Sequence, residues 1–145
     1  MTVRGWLLDT NVVAALISPN GAPSVKDWAS GVDEDRLFLS VLTLGEYERG
    51  IHNLPEDDWR RSRISAIQEG LAARFEGRVL PVTEAVVRRW GMVAGTVKRL
   101  TGHPSPVIDT LFAATALEHG LTLVTRNVQD VRHSGAVVFN PWGSP

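Results

Sequence analysis

Cysteine is absent from the 145 residues. That absence excludes disulfides, thiolate nucleophiles and sulfur-ligated zinc or iron–sulfur centres, so any metal must sit on oxygen or imidazole. A reducing compartment fits, and the cytoplasm is the expected location. The four histidines, His52, His103, His119 and His133, are scattered without metal-ligand spacing and are expected to be surface or capping residues. No run is long and apolar enough to cross a bilayer, so no membrane role is expected. The opening residues Met1-Thr2-Val3-Arg4-Gly5 lack the charged, apolar and cleavage regions of a secretory leader. Lysine is scarce, with only Lys26 and Lys98, and the formal net charge of -1 removes the broadly basic footprint of a general polyanion binder.

What is present is ordinary for a globular chain: 43% hydrophobic and 21% charged residues. The length fits one domain over residues 1–145, with no internal repeat, low-complexity tract or linker. The basic residues are mostly arginines and bunch at Arg60, Arg61 and Arg63 and at Arg88 and Arg89. Arginine's planar fork suits phosphate, so these clusters permit an RNA partner, although helix faces in water explain them as well.

Apolar runs of strand character alternate with stretches of helical period. Strands are expected at 5–8, 37–39, 78–82, 122–125 and 136–139. Helices are expected after Thr10-Asn11, from Pro23-Ser24, over 40–50, 55–75 and 83–100, and over 106–119. Thr83 with Glu84 reads as an N-cap and first-turn acid, and Gly120 as a left-handed C-cap. Gly91 and Gly95, four apart, would permit close approach of another helix, or are accepted for packing alone. Strand and helix in alternation imply an α/β fold with a parallel sheet covered on both faces.

Three acids occupy positions that water alone does not explain. Asp9 follows the apolar run Trp6-Leu7-Leu8 and precedes a helix, which puts it at the carboxyl end of the first strand, where parallel α/β sheets bind ligands. Capping the next helix is its ordinary explanation. Glu46 lies about two turns into the helix after the second strand, with Leu42 four residues before it and Gly50 four after. Glu48, two residues on, faces away and reads as a solvated glutamate. Asp109 is a lone carboxylate in the first turn of the apolar run Val107–Ala116. The helix dipole stabilises it there, but burying an unpaired carboxylate costs several kcal/mol, and no neighbouring arginine or lysine offers a partner. A divalent cation shared by Asp9, Glu46 and Asp109 would satisfy all three.

The runs Leu7-Leu8-Asp9-Thr10-Asn11, Ser40-Val41-Leu42-Thr43-Leu44-Gly45-Glu46, Asp109-Thr110-Leu111-Phe112-Ala113-Ala114-Thr115-Ala116 and Leu123-Val124-Thr125-Arg126-Asn127-Val128-Gln129-Asp130 together resemble the successive motifs of PIN-domain toxins of the VapC type. The segments Gly77–Val82 and Val138–Trp142 are similar to the FitB-like branch. The resemblance spans nearly the whole chain. It implies a three-layer α/β/α sandwich on a five-stranded parallel sheet, with Mg²⁺ or Mn²⁺ at a cluster of acids and hydrolysis of RNA.

Carried onto this sequence, the resemblance makes Asp9, Glu46 and Asp109 the first three acids. Asp9 and Asp109 would hold the ion most directly, and Glu46 would position or deprotonate a water. The fourth position falls on Asn127 or on Asp130. Thr10 and Thr125 would orient carboxylates, or serve only as turn and cap residues. Arg126 would meet a phosphate or neutralise the acids, and Trp142 reads as an anchor for the last strand more than as a base-stacking platform. A cognate antitoxin of the VapB type and a homodimer are the implied partners. A PIN-fold nuclease acting on DNA or structured nucleic acid, and a non-catalytic partner of a DNA-binding antitoxin, are the alternatives.

Overall fold

The computed structural model describes residues 4–143; Met1–Val3, part of the opening run read above, lie outside the described residues. The elements follow in the order β1 (Trp6–Leu8), α1 (Thr10–Ile17), α2 (Pro23–Ser30), β2 (Leu37–Ser40), α3 (Val41–His52), α4 (Arg60–Arg74), β3 (Val79–Leu80), α5 (Glu84–Thr101), α6 (Val107–His119), β4 (Thr122–Val124) and β5 (Val138–Phe139). Short 3₁₀ turns cover Glu34–Arg36 and Val128–Val131.

All five strands are parallel, in the order β3-β2-β1-β4-β5. Side chains alternate across such a sheet, and here both faces are apolar. On β1, Leu8 joins a core with Val12, Val25, Leu39, Leu71 and Phe75, contributed by α1, α2, β2 and α4 with the residue after it. Leu7 points the other way, into a second core with Phe112, Ala113 and Ala116 of α6. On β4, Val124 and Leu123 divide in the same manner. Burial on both faces is what makes these strands continuous hydrophobic runs. The result is the three-layer α/β/α sandwich, with a five-stranded parallel sheet and six helices among the described residues.

Several ends have the expected causes. The Thr83 hydroxyl accepts the Val86 N–H at 3.2 Å and starts α5. Gly120 takes φ +65°, the left-handed region that favours glycine, and closes α6. The expected helix over 55–75 is shorter: the Asp58 N–H bonds to the Pro55 carbonyl, the Asp58 carboxylate accepts the Arg60 N–H, and the helix begins only at Arg60. The third and fifth strands contract to two residues each. Gly91 and Gly95 face open space, with no atom of the described residues within 4 Å of a Cβ at either position, so they admit no close helix within this chain. The arginine clusters are locally engaged. Arg60 pairs with Asp58, Arg88 with Glu84 and Arg89 with Glu118.

The strand order reverses direction between β1 and β4, the two neighbours from which the chain departs to opposite sides. That is the topological switch point, where open parallel sheets leave a crevice at the strands' carboxyl ends. Asp9 and Thr125 stand there side by side, because each directly follows one of those strands.

Candidate active site

The centre of the site is Asp9. Its backbone N–H continues the sheet ladder to the Val124 carbonyl at 2.9 Å. Its side chain then caps α1: Oδ1 accepts the Thr10 N–H at 2.7 Å, and Oδ2 accepts the Thr125 hydroxyl at 2.6 Å. Asp9 is therefore both a helix cap and a buried carboxylate, only 6% exposed. Burial raises its pKa above the ordinary aspartate value, the hydrogen bonds from Thr125 and Thr10 pull it back, and the charges of Glu46 and Asp130 push it up further.

Glu46 reaches the same crevice from α3. Its Oε1 accepts the Thr10 hydroxyl at 2.6 Å, and that hydroxyl lies 2.9 Å from the hydroxyl of Thr43. The single Thr10 proton is spent on Glu46, so Thr43 is the donor of the second bond. Thr43 is fully buried. It was not singled out from the sequence, although its place three residues before Glu46 puts both on one helix face. Arg49, one turn on, lies 3.7 Å from Glu46 Oε2. Glu48 turns away to solvent and faces His52 at 3.3 Å.

Asp109 arrives in the first turn of α6. That turn is fixed by Thr110, whose hydroxyl donates to the Pro106 carbonyl at 2.6 Å and accepts the indole N–H of Trp90 from α5 at 3.2 Å. The Asp109 carboxyl is pushed up to about 6, first by burial and then by the charges of Asp9, Asp130 and Glu46, while the Asn127 side chain lowers it slightly. Its perturbers identify its neighbours: the four acids read from the sequence share one electrostatic environment. Neither Asp9, Asp109 nor Asp130 has an arginine or lysine partner among the described residues.

Asn127 and Asp130 follow Thr125 on an exposed loop. The Asn127 N–H donates to the Thr125 hydroxyl at 3.0 Å, and the Asp130 N–H to the Asn127 carbonyl at 3.1 Å. One short chain of bonds thus connects both candidates for the fourth position to Asp9. Asn11 ties the loop down from the other side: its Oδ1 accepts the Arg126 N–H at 3.4 Å. The Arg126 side chain forms no ion pair with the acids. It lies over the Trp142 ring, 5.2 Å from the centroid. Trp142 is half-buried against the first core, as an anchor would be. Of the histidines, His119 departs from a simple surface role, because its Nε2 is enclosed without a partner among the described residues.

Among the described residues no three His, Asp or Glu side chains are already drawn together as a metal-holding group. The donor set nevertheless suits a hard divalent cation. It is all oxygen, it lacks a compensating cation at Asp9 and Asp109, and the charges of Glu46 and Asp130 push both of those carboxyls up. Mg²⁺ in particular is held by one or two carboxylates with several waters, and needs no closed protein cage.

The PIN domain family model matches residues 6–132 of this chain. Toxin FitB of Neisseria gonorrhoeae is 29% identical over 136 residues, which is 94% of this chain and 97% of that protein. Ribonuclease VapC4 of Mycobacterium tuberculosis is 32% identical over 132 residues, covering 88% of this chain and 89% of that one. The crystal structure of FitAcB from Neisseria gonorrhoeae superposes with a TM-score of 0.83 at 27% identity, over 96% of this chain and 99% of that chain. The chain belongs to the PIN-domain family, among its VapC-type members and on their FitB-like branch.

Proposed function

We propose that this protein is a metal-dependent endoribonuclease, the toxin of a toxin–antitoxin pair, which hydrolyses RNA phosphodiester bonds with Mg²⁺ or Mn²⁺. The observation that carries the reading is the cluster at the switch point, where Asp109 is pushed up to about 6 with Asp9, Asp130 and Glu46 among its causes. Asp9 and Asp109, carboxylates without cations of their own among the described residues, are suited to a bound metal, and perturbed groups in a cleft mark functional sites. The names of the relatives support the RNA substrate: VapC4 is called a ribonuclease, as is a VapC protein of Sinorhizobium fredii.

Asp9 and Asp109 would hold the ion, with Glu46 completing the set. Bound there, the ion supplies Lewis acidity toward the scissile phosphate and acidifies the attacking water. The chain's own residues do the positioning. Thr125 and the Thr10 N–H fix both oxygens of Asp9, so this carboxylate is presented in one orientation. Thr10 donates to Glu46 Oε1 and is itself fixed by the Thr43 hydroxyl, and Oε2, which has Arg49 3.7 Å away, is the oxygen that would orient the attacking water and take its proton. Asn127 and Asp130 border the cluster and serve to order solvent around it.

An antitoxin of the VapB type is the partner this reading implies, and FitAcB is one of the solved structures that support it. A homodimer is part of the same reading; light scattering at micromolar concentration checks it, and a monomer counts against it. The function itself is tested with labelled RNA and DNA of equal sequence, each with Mg²⁺ and after chelation. Cleavage of RNA alone, lost on chelation, is expected. Cleavage of DNA in preference to RNA transfers the site to the DNA-nuclease alternative, and no cleavage of either favours a non-catalytic partner role.

A further inference from the structure

A pocket of about 810 Å³ opens at Arg126 and Trp142, and none of the roles described so far explains it. It lies between the ends of β4 and β5, which parallel pairing of Val124 with Phe139 brings together. Arg126, Gln129, Phe139, Asn140 and Trp142 line it. Its size falls within the usual range for small-ligand sites, about 300–1,000 Å³.

We propose that this pocket holds the unpaired nucleotide next to the scissile phosphate, with its base stacked on the layered Arg126–Trp142 pair. The inference rests on the ribonuclease reading and adds a substrate subsite to it. Three features point the same way. First, the pocket's position is fixed by covalent connection. Arg126 stands between Thr125, whose hydroxyl donates to Asp9, and Asn127, whose N–H donates to that same hydroxyl, so a nucleotide held at Arg126 is one residue away from the group that orients Asp9.

Second, the Arg126 guanidinium is exposed and pairs with no carboxylate among the described residues. It is held over an indole instead, 5.2 Å from the ring centroid. That arrangement keeps the planar fork available to phosphate while offering a flat cationic surface to a base. Single-stranded RNA is recognised by stacking on aromatic rings and guanidinium planes. Third, the polar groups of the pocket suit a base edge. Asn140 Oδ1 accepts the Trp142 N–H at 2.9 Å, which fixes this side chain and leaves its NH₂ as the available donor. A duplex cannot present a free base to such a pocket, so the substrate is a loop or another unpaired segment.

The test is binding of a short, unstructured, fluorescently labelled RNA, followed by anisotropy with Mg²⁺ present. Asp109→Asn serves as the parent so that the probe stays intact. Adding Trp142→Ala is expected to weaken binding about tenfold, the loss of one stacking contact, while Trp142→Phe keeps most of the affinity. Adding Arg126→Gln is expected to weaken binding and to lower the salt dependence by about one phosphate contact. Thermal melts guard against unfolding by Trp142→Ala, and Arg126→Gln keeps the test decisive because Arg126 is exposed and outside the core. In heteronuclear spectra the indole signal that Trp142→Phe removes should move when the RNA is added. Affinities of Trp142→Ala and Arg126→Gln within about twofold of the parent, with an unchanged salt slope, overturn the proposal; a pocket made for a protein segment would behave so. If wild type cleaves RNA while these variants bind it like their parent, the pocket assignment fails alone. If the pocket variants lose RNA affinity but wild type does not cleave, the ribonuclease reading fails and the RNA subsite stands.

Discussion

Replacing Asp109 by asparagine should make the metal-free protein more stable, although it removes a group central to the proposed activity. The carboxyl is pushed from the ordinary 3.8 up to about 6, because burial and the charges of Asp9, Asp130 and Glu46 disfavour its ionised form. An acid whose folded-state pKa lies above its unfolded value binds more protons in the folded state. Its contribution is therefore most favourable below the unfolded pKa, near 4, and is lost as pH rises through about 6. Above that window wild type carries the full penalty of an ionised Asp109, and the asparagine variant does not. The nominal cost is about 3 kcal/mol, at ~1.4 kcal/mol per unit. The side chain is only partly buried, and solvent screening reduces this to about 1–2 kcal/mol. Urea melts in EDTA at pH 7.5 should place the variant above wild type by that amount, and the gap should close as the pH falls below about 4. Mg²⁺ should reverse the order, because an ion bound only by the folded state adds roughly 2.7 kcal/mol at a hundredfold excess over Kd, and the variant binds it less tightly. A variant less stable than wild type at pH 7.5 in EDTA, or a gap that ignores pH, would refute the assignment of mutual repulsion.

Other perturbations separate the parts of the site. Thr125→Val leaves the buried Oδ2 of Asp9 without its 2.6 Å donor, and should cost about 1–3 kcal/mol in apo stability by urea melts and about 10–100-fold in RNA cleavage rate. Asn127→Asp adds a carboxylate beside Asp109, and should tighten Mn²⁺ binding in a calorimetric titration while lowering apo stability; weaker binding would place Asn127 outside the metal's reach. Phe112→Ala empties a fully buried position in the second core, and should cost about 3–5 kcal/mol by denaturant titration with the metal affinity of the remaining folded protein unchanged.

The parts of this arrangement differ in how openly the chain displays them, for physical reasons. Asp9 and Thr125 could be placed early because each ends an apolar run, and a parallel sheet puts such ends on one edge. Asp109 stood out because a carboxylate among Val107, Ile108, Leu111 and Phe112 has no local partner. Thr43 was invisible for the opposite reason: a threonine on a helix has many ordinary explanations, and its bond to Thr10 joins residues that only the β1–β2 pairing brings together. The Arg126–Trp142 stack depends likewise on the β4–β5 register, a non-local choice that no local pattern specifies. The late start of α4 follows from the competition of Asp58 for the Arg60 N–H, since such side chains offer the backbone an alternative to helix. The two candidates for the fourth position are both near the cluster, and charge alone favours Asp130, which appears among the causes of the shifts at Asp9 and Asp109.

The most direct measurement is cleavage of a labelled single-stranded RNA by purified wild type, Asp9→Asn and Asp109→Asn, each with Mg²⁺ and with EDTA, after circular dichroism has shown all three folded. Cleavage by wild type with Mg²⁺ alone, with both variants reduced to the level of the EDTA control, is the expected result. Wild-type rates in either folded variant, or cleavage that persists in EDTA, would contradict a metal-dependent acidic centre at the switch point.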